Sequence, residues 1–108
     1  MISALSAAAS GMNDAMVSVD VAAHNIANVN TAGFSPLQVS SVEVPEGGVA
    51  PVVTAGVAGL GASVPPGGSG TDLAAEMVNL ILARVAFVAS ARAFATAARM
   101  QHTLDVIR

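Results

Sequence analysis

The sequence predicts a mainly α fold: two long, unequal antiparallel helices forming a coiled-coil hairpin. An irregular Gly/Pro-rich segment with a candidate short β-hairpin joins them. Three observations predict it. Apolar residues recur at helical spacing over residues 2–27, the same periodicity returns from residue 71 to the end, and all five prolines fall between, in residues 34–70. The 108 residues divide into three zones of one domain: a helix and Asn-rich turn over 1–34, a hairpin and flexible linker over 35–70, and a second helix over 71–108 that packs on the first.

In the first zone Ile2, Leu5, Ala9, Met12, Met16, Val19, Ala23 and Ile26 form an unbroken seam spaced by threes and fours. Such a seam lets a helix keep one face against a partner helix. Ser10, Asn13, Asp14, Ser18 and Asp20 occupy the opposite face. Gly11 lowers helix propensity by about 1 kcal/mol relative to alanine but permits close backbone approach. The helix runs into NIANVNTAGF, residues 25–34, where Asn25, Asn28 and Asn30 are concentrated. Asparagine tolerates the left-handed conformation found at helix ends, and its amide bonds locally to backbone. Thr31 and Gly33 supply a turn, and Phe34 folds back on the helix. An interface in which amides satisfy neighbouring backbone groups would account for their number.

In the middle zone Leu37 and Val39, then Val42 and Val44, alternate as in short strands. PEGG reads as a turn, and residues 49–57 pair back across it. The tract GVAGLGASVPPGGSG is a flexible linker by composition. Thr71 or Asp72 then caps the second helix, with Glu76 near its positive end. One stripe of that helix runs Leu73, Met77, Leu80, Arg84, Phe87, Ala91, Phe94, Ala98. A second runs Val78, Ile81, Val85, Val88, and a third runs Ala97, Met100, Leu104, Ile107. Several stripes imply several neighbours. At 1.5 Å per residue the helices reach about 39 and about 54 Å. A compact globule of this length has a radius of gyration of about 13 Å. An antiparallel pair with overhang follows, and its uncovered apolar faces call for other subunits.

Composition excludes several classes. Only Arg84, Arg92, Arg99 and Arg108 are positive against a net charge of −3, so no basic stripe serves nucleic acid. Cysteine is absent, which removes disulfides and thiolate metal sites. The N-terminus lacks the positive region of a cleaved secretory signal. No run approaches the 18–20 apolar residues of a membrane span; the best, residues 73–83, carries Glu76 and Asn79. Three phenylalanines are the sole aromatic residues, so a deep core from this chain alone is not expected.

Asp20 with His24 has the four-residue spacing of a base and its orienter, or of half a metal site. No nucleophile motif accompanies them, and a solvated helical pair is the common outcome of that spacing, as for His102 with Asp105. PPGGSGTDLAAEM precedes a helix as phosphate loops do, but it lacks the lysine and fixed spacing of a Walker motif. Catalytic, cofactor and metal residues are therefore expected to be none. Met12, Met16, Met77 and Met100 read as adaptable packing groups. Arg84 either snorkels to the surface or pairs across a subunit boundary.

HNIANVNTAGF, preceded by a helix, resembles the flagellar rod and hook protein motif ANNIAN-x-NT-x-GF. TDLAAEMVNLILA resembles the same family's VDLAxEMVNxIxA segment. The two cover about two thirds of the chain, in the family's order. SSVEVPEGGVAPV is similar, more loosely, to the VPGGGV-like hairpin of the short proximal rod component called the C protein. The chain departs from the family pattern at Arg84-Val85, where Gln-Arg is usual, and at Ala86-Phe87, where Ala-Tyr is usual. Ser90 replaces the usual Asn, and the DPGHPDA-like loop is missing.

The resemblance implies a structural, non-enzymatic rod subunit of proximal type, polymerising through its terminal helices into the axial tube. Its partners would be other rod subunits and the flagellar type III export apparatus. It would lie in the periplasmic basal body, exported without a cleaved signal and weakly folded as a monomer. A helical-hairpin adaptor or export-associated binding protein reusing the module is the alternative. Expected turn residues are Asn25, Ile26, Asn28, Asn30, Thr31, Gly33 and Phe34. Expected subunit-packing residues are Leu5, Met12, Met16, Val19, Ile26, Glu76, Met77, Val78, Leu80, Ile81, Arg84, Phe87, Phe94, Met100 and Leu104.

Overall fold

Helix α1 (Ile2–Ala27) is followed by strands β1 (Leu37–Glu43) and β2 (Val49–Ala55) and then by helix α2 (Leu73–Ile107). The computed structural model describes residues 2–56 and 67–108. The expected linker tract therefore lies largely outside the described residues, as does Val57, the end of the expected second strand.

The chain is mainly helical, with one two-stranded antiparallel sheet. Leu37 pairs with Ala55 and Glu43 with Val49. Between the strands, Gly47 N–H donates to the Val44 carbonyl (2.9 Å) and Val44 N–H to the Gly48 carbonyl (3.1 Å). Both glycines have positive φ, 90° and 98°, which side chains oppose. Gly48 also abuts α1: a Cβ there would stand 3.3 Å from the Ala7 Cα and collide with the Ser10 hydroxyl.

The two helices lie antiparallel, and small residues set their register. Asn25 meets Glu76, Ser18 shares a cleft wall with Ala83, and Gly11 faces Ser90. Each pair is displaced seven residues from the last on both helices. A Cβ on Gly11 would lie 2.7 Å from the Ser90 hydroxyl oxygen, so glycine is what lets the backbones approach here. Ala15 and Ala22 on α1 and Ala83 and Ala97 on α2 are buried along this line. The intrachain contact thus runs beside the large-residue seam rather than along it. Alanine and glycine bring helix axes closer than methionine and leucine allow.

Nine residues back from Gly11 is Ile2, and nine on from Ser90 is Arg99. Residues 100–107 therefore extend past the start of α1. The radius of gyration is 18.0 Å and the molecule measures 67 × 24 × 16 Å, a rod and not a globule.

The sheet lies against α1 through the polar face of that helix. Val49 N–H donates to the Ser10 hydroxyl at 3.1 Å, and that hydroxyl donates to the Ala7 carbonyl at 2.6 Å. The Ser41 hydroxyl donates to Asp14 Oδ2 at 2.7 Å. Ser10 and Asp14 are thus anchors for an otherwise marginal two-stranded sheet. Pro51 is tolerated in β2 because a two-stranded sheet has only outer edges.

Candidate functional site

The Asn-rich turn is a joint between four parts of the chain. After Ala27 the helix tightens into successive turns: Asn28 N–H bonds to the Asn25 carbonyl, Val29 to Ile26, Thr31 to Asn28 and Phe34 to Thr31. Among the described residues no non-glycine takes positive φ; in this turn only Gly33 does, at 71°. This corrects the expectation that asparagine supplies the left-handed step. Tight i→i+3 turns keep φ negative, and glycine alone makes the reversal.

The amides serve elsewhere. Asn25 is 0% exposed, the most deeply buried polar side chain described. Its Nδ2 donates to the Leu37 carbonyl (2.8 Å) and to Glu76 Oε1 (3.0 Å), while its Oδ1 accepts from the Leu37 N–H (2.8 Å). One carboxamide thus imitates a neighbouring strand for the first residue of β1 and clasps the first turn of α2. Burial without these partners would cost about 1–3 kcal/mol per unsatisfied group. Asn28 Nδ2 bonds the His24 carbonyl (2.9 Å) and its Oδ1 accepts from the Thr31 hydroxyl (3.1 Å), locking the turn on itself. Asn30 is exposed.

Two backbone bonds tie the turn to the segment entering α2: Gly33 N–H to the Gly68 carbonyl (3.1 Å) and Gly70 N–H to the Phe34 carbonyl (2.9 Å). Asp72 is the N-cap of α2, its Oδ1 accepting from the Ala75 N–H at 3.2 Å. The Phe34 ring lies against His24, with centroids 5.5 Å apart at 57°. Among the described residues no three His, Asp or Glu side chains gather as a metal site.

The residues named for subunit packing fall into four groups. Glu76 turns inward to Asn25. Met16, Val19, Arg84 and Phe87 line one apolar groove of about 320 Å³ with Ala15 and Asp20, so the large-residue seams of both helices converge on one side of the pair. Met77, Val78, Ile81, Met100 and Leu104 are exposed, and Phe94 is only marginally covered. Leu5, Met12, Ile26 and Leu80 are half-buried. A second cleft, of about 570 Å³, separates β1 from α2 and is lined by Leu37, Val39, Asn79 and Leu82 among others.

Sequence reading missed Leu37, Ser10, Asp14 and Ser41 as parts of the joint and its anchors. The available signal was the Ser10–Asp14 spacing, a polar stripe facing a strand that needs backbone partners. Asp14 Oδ1 is buried with no hydrogen-bond partner among the described residues.

A search of curated proteins found no match to the chain. Residues 3–34 match the family model described as "Flagella basal body rod protein", a span that covers α1 from Ser3 and ends at Phe34 of the joint. Over those residues the helix and turn that organise this molecule are similar to the flagella basal body rod protein family.

Proposed function

We propose that the chain is a non-enzymatic structural subunit of the bacterial flagellar basal-body rod, of the short proximal type, which polymerises through its terminal helices into the axial tube. The observation that carries this reading is that the rod-family segment forms the joint and one wall of an uncovered apolar groove.

The helices themselves support assembly. Met16 is 56% exposed, and large apolar residues are exposed along the whole of α2, from Leu73 to Ile107. A helix apolar on most sides gains its stability where neighbours cover it. The isolated chain is accordingly loosely held, and burial against other rod subunits orders it. Export through the flagellar type III apparatus to the periplasmic rod completes the reading. Isolation of intact basal bodies, followed by quantitative mass spectrometry, tests it. The chain is expected at a fixed stoichiometry to the other rod proteins, and deletion of its gene is expected to abolish motility. Absence from basal bodies with motility intact would refute the proposal.

The apolarity of α2 favours a second reading. Its mean hydropathy reaches 1.7 over an 18-residue window, so by length and composition it is able to cross a membrane. Every window of that length in α2 contains Arg84 or Arg92. A central arginine costs about 2.5–3.5 kcal/mol in the bilayer core even on insertion scales. Packing against protein avoids placing both guanidinium groups in hydrocarbon, and we favour it on that ground.

A further inference from the structure

The two edges of the sheet are closed to different extents. Val44 bonds across the sheet to Gly48, and Pro36 to Gly56. The alternation of an antiparallel pair therefore turns the backbone groups of Leu37, Val39, Ser41 and Glu43 to the outer edge of β1. Leu37 fits this pattern, its N–H and carbonyl both held by the Asn25 carboxamide. On the outer edge of β2 the Val49 N–H is taken by Ser10, and Pro51 has no N–H to offer. Such devices keep sheet edges from pairing with other chains. Val39 and Ser41 lack them: their backbone N–H and carbonyl groups have no partner among the described residues.

That open length of β1 borders the cleft of about 570 Å³, with α2 as the far wall and Ser18, Val21 and Ala22 of α1 as the floor. Among the described residues no Cα of the sheet lies within 8 Å of one in α2. Neighbouring strands stand about 4.8 Å apart, so the gap has room for one more. Asn25 already fills the first position of this slot, bonded to the edge of β1 on one side and to Glu76 of α2 on the other.

We infer that the cleft takes an extended segment of another protein, which pairs with Val39 and Ser41 as a third strand continuing from the Asn25 carboxamide. Main-chain bonds to an open edge supply affinity in this mode, and pockets for alternate side chains supply selectivity. Val21 and Leu82 suit apolar side chains at alternate positions, and Asn79 on the far wall offers a carboxamide to the segment's second edge. Glu76 is the one charged residue lining the cleft, so a lysine or arginine at the end beside the joint completes the match. The β1 edge of a second copy is a poor occupant, because its own α2 stands where the other sheet would have to enter. The inference is independent of the rod reading and concerns a different surface from the helix seams.

The probe is the acetylated and amidated peptide TVTVKVT, and amide hydrogen exchange of the full chain is the measurement. Without peptide, Val39 and Ser41 are expected to exchange fast and Ser40, bonded across the sheet, slowly. Millimolar peptide is expected to slow Val39 and Ser41 by about tenfold or more. Val39→Pro removes an N–H that the sheet does not use; it is expected to abolish peptide binding while Ser40 stays protected. Glu76→Gln keeps an acceptor for Asn25 and is expected to weaken binding of this peptide but not of TVTVQVT. Unchanged exchange at Val39 and Ser41 under millimolar peptide overturns the inference, as does undiminished binding to Val39→Pro. Protection of Val39 equal to that of Ser40 before peptide is added also overturns it. Such protection assigns the edge to the chain itself if independent of protein concentration, and to a second copy if it rises with concentration. Presence in or absence from basal bodies decides the rod proposal and leaves these outcomes untouched.

Discussion

At one end of the helix pair, Asn25 holds α1, β1 and α2 together through three hydrogen bonds of 2.8–3.0 Å, and two further backbone bonds bind the turn to the segment entering α2. At the other end, residues 100–107 of α2 run past the start of α1 with Met100, Leu104, Val106 and Ile107 exposed. The joint is specified by directional polar contacts inside the chain, whereas the overhang is specified by nothing within it. Hydrogen bonds fix one geometry because donors and acceptors must align. Apolar surface is non-directional and waits for whatever covers it.

The largest expected effect breaks the joint. Asn25→Ala strands the Leu37 N–H and carbonyl and removes the donor to Glu76, a loss of about 3 kcal/mol from unsatisfied groups. Asn25→Asp is no rescue, since it brings a carboxylate against Glu76. Leu104→Ala in the overhang, by contrast, is expected to change stability by less than about 0.5 kcal/mol, as exposed sites do. Urea unfolding followed by circular dichroism measures both. Equal costs at the two sites would erase the distinction between a closed and an open end.

A middle-sized effect tests how the sheet is held. Gly48→Ala places a methyl against Ala7 and Ser10 at φ 98°, whereas Gly47→Ala at φ 90° meets open space. Both pay the conformational cost of about 1–2 kcal/mol. Only the first also disturbs the Ser10–Val49 bond, worth about 1 kcal/mol more. Hydrogen exchange at Val49 is the sensitive probe, expected to accelerate in Gly48→Ala and hold in Gly47→Ala. The same rate in both variants would mean that Ser10 does not anchor the sheet.

Much of this architecture was legible because it depends on local pattern. The period of α1, the Asp72 cap of α2, the PEGG turn and strands starting at Leu37 and Val49 each follow from neighbouring residues. The bond of Asn25 to Leu37 and Glu76 was not legible, since those partners lie 12 and 51 residues away and no periodicity links them. Nor was the choice of seam. Hydrophobic pattern ranks Met16 and Val19 above Gly11 and Ser18, but a close helix pair selects for small volume. The stripe with the stronger apolar signal faces outward, where Met16 is 56% exposed.

That last point can be sharpened by the smallest change. If Gly11 is kept only for close approach to Ser90, then Gly11→Ala alone gains helix propensity and loses it again to the methyl, 2.7 Å from the Ser90 Oγ. Ser90→Ala removes that oxygen and leaves its Cβ 3.4 Å from the new methyl, an ordinary packing distance. The double variant is expected to be more stable than wild type by about 1 kcal/mol, the alanine-for-glycine difference in a helix interior. Gly11→Ala alone is expected to be near neutral. A double-mutant cycle in urea reads the coupling directly. Additive effects would mean that the helices do not meet at this pair, and the small-residue register would have to be redrawn.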